Sequence, residues 1–70
     1  MPTICVRLLD KAVAEWRPVQ AEKIADGLYR IVEALPLGEH WEFFPGETVR
    51  CRRQRIMDSA DAMVAYERSL

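Results

Sequence analysis

The stretch Trp41-Glu42-Phe43-Phe44-Pro45-Gly46-Glu47-Thr48-Val49-Arg50-Cys51 decides the fold class. An aromatic run stops at a Pro-Gly pair, and an alternating run follows. Proline presets the φ needed at the second position of a tight turn, and glycine accepts the positive φ of the third. The stretch therefore predicts a strand, a turn and a second strand. In the second arm Val49 and Cys51 share one face, while Thr48, Arg50 and Arg52 share the other.

Outward from this stretch the punctuation recurs. Asp26-Gly27 is a two-residue hairpin signal. Pro36-Leu37-Gly38-Glu39 reads as a loop, and 57–61 is a further break. Ile4, Val6 and Leu8 alternate with Thr3, Cys5 and Arg7, the period of a strand with one face in the core. Turn signals about every 8–12 residues suggest a small sandwich or barrel. They separate segments 4–9, 12–24, 28–35, 40–44, 47–56 and 62–67.

One region supports a rival. Val19, Ile24, Leu28, Ile31, Val32 and Leu35 fit a helical stripe between Pro18 and Pro36, which would make the chain α+β with a helix over 18–35. Gly27 opposes it, since glycine costs about 1 kcal/mol inside a helix. Tyr29, Ile31 and Val32 also favour a strand. Strands are preferred, with a hairpin of 19–24 and 28–35 around Asp26-Gly27. In the tail, Ser59 could cap a short C-terminal helix.

Seventy residues make a single small domain, 1–70. A core of this size rarely contributes more than about 3–5 kcal/mol of net stability. Half the residues are hydrophobic and 30% are charged, the composition of a globular chain. The net charge is −1, so no whole-protein field draws in nucleic acid or an anionic membrane. No apolar run approaches the roughly 20 residues that span a bilayer. The N-terminal residues lack the pattern of a signal peptide. A cytoplasmic protein without a membrane segment is the expectation.

Trp16-Arg17-Pro18-Val19, Asp26-Gly27-Leu28-Tyr29-Arg30-Ile31, Trp41-Glu42-Phe43 with Pro45-Gly46, and Val49-Arg50-Cys51 follow one another in this order. Over residues 16–52 the chain resembles a group of short uncharacterised bacterial proteins carrying W-x-PV, DG-x-YRI and WEF-x-PG-x-x-VRC motifs. The resemblance implies a compact SH3-like barrel and no assigned activity. The fold expected is thus all-β, a small SH3-like antiparallel barrel of about five strands.

Chemistry-bearing residues are sparse. His40 is the single histidine, and Cys5 and Cys51 are the two cysteines, with no Cys-x-x-Cys pair. Structural zinc ligands come in close-spaced pairs, so no metal site is expected. A Cys51–His40 nucleophile pair is disfavoured, because Cys51 lies on the Val49 face. Asp58 and Asp61 suit a turn better than acid–base work. No catalytic residue and no cofactor are expected.

Binding is the better expectation. Arg50, Arg52, Arg53 and Arg55 cluster, and Arg50 with Arg52 on one solvent face could hold a carboxylate or phosphate. The duller reading is a solvated face whose arginines pair with Glu33, Glu42 or Glu47. Phe43 and Tyr29 suit the core. Trp41 and Phe44 suit exposure, and aromatic clefts of SH3-like domains receive peptides. The candidate surface is Trp41, Phe44, Arg50 and Arg52. A protein or peptide partner, self-association included, is preferred over single-stranded nucleic acid stacked on an Arg/aromatic face. Two geometric expectations follow. Cys5 and Cys51 stay free thiols. And because Ile56 is out of phase with Val49 and Cys51, the strand slips by one residue between Arg52 and Arg55, through a β-bulge that keeps Arg53 and Arg55 out of the core.

Overall fold

A computed structural model describes residues 2–57 and 60–69, and for 56, 57 and 60 the backbone alone. The described residues contain five strands and no helix. These are β1 (Thr3–Arg7), β2 (Trp16–Ala25), β3 (Leu28–Ile31), β4 (Thr48–Met57) and β5 (Ala60–Arg68). They close into a barrel in the order β1-β2-β3-β4-β5. The helix over 18–35 is excluded, and residues 60–68 are strand in place of the short C-terminal helix that the tail could form. Ser59, the expected cap, lies outside the described residues.

The all-β barrel of five strands running antiparallel along the chain is as expected, and one pair closes it in the other sense. Consecutive strands pair antiparallel, but β1 meets β5 parallel, with Cys5 opposite Val64. An odd number of strands that reverse at every connection must bring the first and last together in the same sense.

Local turn chemistry explains the tight corners. Pro45-Gly46 forms the expected turn, with Gly46 at φ 88° and the Glu47 amide donating to the Phe44 carbonyl at 3.1 Å. The turn is anchored to β3, since Gly46 N–H donates to the Ile31 carbonyl at 2.8 Å. At Asp26-Gly27 only Gly27 has positive φ, 73°. The mirror turn of the simplest hairpin needs positive φ at both central residues, so this corner is of another type. A register shift between Lys23 and Ala25 accompanies it.

The arm before Pro45-Gly46 is not a strand. Residues 41–44 contribute one isolated antiparallel bridge, Leu8 to Trp41. Around it Leu9 N–H donates to the His40 carbonyl (2.8 Å) and Glu42 N–H to the Arg7 carbonyl (2.9 Å). The connector from β3 to β4 is thereby laid along the end of β1.

The core holds Ile4, Val6, Val19, Ala21, Tyr29, Ile31, Trp41, Phe43, Val49, Cys51 and Ala65. Strand alternation is visible in it: Ile4 and Val6 enter the cluster and Cys5 does not. Cys5 is nevertheless buried, in register with Pro18 on one side and Val64 on the other. Both thiols are free.

Candidate functional site

The four residues proposed from sequence do not form one surface. Trp41 is fully buried, the largest of the side chains that are. Its indole N–H donates to Glu39 Oε1 at 2.8 Å, and the same carboxylate oxygen lies 3.6 Å from Arg17 Nε. Exposure of Trp41 is therefore corrected. The Leu8 bridge draws it into the mouth of the barrel, and Glu39 satisfies the one polar atom that burial would orphan. Phe43 and Tyr29 are in the core as expected, and Phe44 is 47% exposed in the Pro45-Gly46 turn.

Arg50 and Arg52 do share the solvent face of β4. Val49 and Cys51 face inward, and both arginines are exposed. Arg50 Nε lies 3.3 Å from Glu67 Oε2 on β5, so its partner is none of the three acids expected. Arg52 lies over the Tyr66 ring, 4.7 Å from guanidinium carbon to centroid. Phe44 precedes β4, and Arg52 is five residues along from Glu47. At about 3.3 Å per strand residue this is about 16 Å, too far for one compact contact.

The expected slip in β4 is displaced. From Cys51 to Arg55 the strand pairs regularly with β5, ending with Arg55 opposite Asp61. The register shifts lie outside the expected interval, between Arg50 and Cys51 and between Arg55 and Met57. At the first shift the pairing jumps from Glu67 to Ala65, and Tyr66 is the extra residue. Arg53 and Arg55 are exposed although no shift separates them from Cys51. The inward phase buries a side chain only where the barrel continues. β3 pairs with β4 no further than Leu28 opposite Arg50, and the Cys51 amide donates to the Gly27 carbonyl at 2.8 Å as the final link. The side chain of Ile56 lies outside the described residues.

A second polar cluster was not foreseen. Arg68, at the end of β5, binds Glu47 through Nε and donates to the Glu42 carbonyl at 3.2 Å. Its guanidinium lies over the Phe43 ring at 5.2 Å. The other Glu47 oxygen accepts the Phe44 amide at 2.6 Å. The Arg68 hydrogen bond holds the Glu47 carboxyl below its ordinary value. Partial burial opposes this, and the Phe44 amide and the Arg68 charge reinforce it. No local pattern announces the cluster, because Glu47 and Arg68 are 21 residues apart.

The thiols are poor nucleophiles here. Burial pushes Cys51 up to about 11, with Cys5 adding to the push, and burial raises Cys5 as well. His40 Nδ1 lies 3.2 Å from Asp10 in an exposed pair between two loops. Among the described residues no three His, Cys, Asp or Glu side chains converge as metal ligands. No helix among them is long and apolar enough to cross a membrane. No family model matches the chain, and no curated protein or solved structure matches it.

Proposed function

We propose that the protein is a non-enzymatic, cytoplasmic binding module for a protein or peptide partner, using the outer face of β4 and β5 around Arg50, Arg52 and Tyr66. The observation that carries this reading is the Arg52–Tyr66 pair. The guanidinium rests over the ring, and Tyr66 keeps 43% of its surface in solvent. An arginine over a half-exposed tyrosine offers contact area and directional donors together. These two residue types are enriched among the residues that dominate interface energies. Phe44 is a separate exposed aromatic at the other end of β4 and is not needed for this surface.

The test is retention of proteins on the immobilised domain. Wild type is expected to retain a partner that the Arg52→Ser, Tyr66→Ser double variant releases, and oligothymidylate is expected not to compete. Direct binding of oligothymidylate, mapped to residues 48–56 and weakening steeply with salt, would replace this reading with single-stranded nucleic-acid binding.

A further inference from the structure

β4 has ten residues, but β3 covers only its first part. Successive backbone groups of a strand point to alternate edges. The Cys51 amide points to the β3 side, where it binds Gly27, and the Thr48 carbonyl points to the β5 side, where it accepts from Ser69 at 2.9 Å. Odd-numbered residues of β4 therefore address the β3 edge and even-numbered ones address β5. Past Cys51 the β3 edge has turned away at Asp26-Gly27. The backbone groups of Arg53 and Arg55 face an edge with no strand beside it among the described residues.

This edge is strongly basic. Arg50, Arg52, Arg53 and Arg55 fall within six residues. On β5 they meet two facing acids among the described residues, Glu67 at 3.3 Å from Arg50 and Asp61 at 4.0 Å from Arg55. Charged side chains on an open edge deter pairing with like edges. A second copy docking β4 against β4 would set arginine opposite arginine, which destabilises a sheet. An acidic strand meets the opposite situation.

We infer that the open edge of β4 at Arg53–Arg55 receives an extended acidic segment of another protein, by strand addition. This rests on the binding-module reading and names the partner's chemistry. The backbone of Arg53 and Arg55 supplies two donors and two acceptors. The arginine side chains select carboxylates on the added strand.

The probe is a capped octapeptide of alternating Glu and Val, titrated into the labelled intact domain. Binding is expected, with the Arg53 and Arg55 amides slowed in hydrogen exchange at least about tenfold. Methylating alternate backbone nitrogens of the peptide is expected to weaken binding at least about tenfold, and a Lys/Val octapeptide is expected not to bind. Arg53→Pro deletes one edge donor without touching an amide that faces β5, and it is expected to abolish the protection. Should that variant fail to fold, Arg53→Glu, opposite Met63, tests the charge requirement without setting like charges across the ladder: at least about tenfold weaker binding of the Glu/Val peptide is expected, and unchanged binding overturns the inference. Binding that ignores N-methylation, an absence of binding, or equal binding of the Lys/Val peptide overturns the inference. A partner that contacts Tyr66 while the Arg53 and Arg55 amides stay unprotected also overturns it, and leaves the binding-module reading standing.

Discussion

Arg68 and Glu47 tie the last strand of the barrel to the turn that begins the fourth. The carboxylate lies between the guanidinium and the Phe44 amide, and Arg68 also covers Phe43. The clasp joins β5 to the connector that meets the end of β1 through the Leu8–Trp41 bridge.

The clasp sets an acid limit. Glu47 has a folded pKa below its unfolded value of about 4.3. A depressed carboxylate stabilises above the unfolded pKa, and that stability is lost as pH falls through the folded one. Wild type is thus expected to melt above Glu47→Gln at pH 6, with the gap closing as pH falls below about 4. Thermal melts from pH 6 to 3 check this, and a gap independent of pH would show that the clasp contributes by packing alone.

Trp41 should be the most sensitive core position. Truncating a fully buried tryptophan costs about 3–5 kcal/mol, comparable to the whole net stability of so small a domain. Trp41→Ala is expected to be largely unfolded in water. Trp41→Phe should stay folded with a lower urea midpoint, since it keeps an aromatic ring but loses volume and the bond to Glu39. Circular dichroism and urea titration read both, and a folded Trp41→Ala would contradict its place in the core.

The sequence and the structure part where long-range contacts decide. Asp26-Gly27 and Pro45-Gly46 were legible because turn preferences are local. The Val49/Cys51 against Arg50/Arg52 division was legible because strand alternation is local too. The burial of Trp41 is not legible locally, because it depends on Leu8, 33 positions away, and on a bond from its own ring to Glu39. The place of Tyr66 beside Arg52 is not legible either, because the shift at Arg50/Cys51 exists only once β4 and β5 are paired. Arg53 and Arg55 escape burial because β3 is short, and no residue near them records that.

The cysteines should be inert until the domain opens. With Cys51 at about 11 and Cys5 raised, little of either thiol is ionised at pH 8. Alkylation is expected to be slow on the native protein and to consume two thiols in denaturant without reductant. A native mass that rises by two hydrogens on reduction would show a disulfide and contradict the free pair.

Backbone amide exchange along β4 of the free domain tests the central claim, an exposed strand surface with an open edge, most directly. The account predicts protection at Arg52 and Gln54, which face β5, and near-unprotected exchange at Arg53 and Arg55. Equal protection at all four would mean that the edge is already filled, and uniformly fast exchange would mean that the arm is not a strand. The first result would contradict strand addition at this edge, and the second would contradict the strand surface on which the proposed function rests.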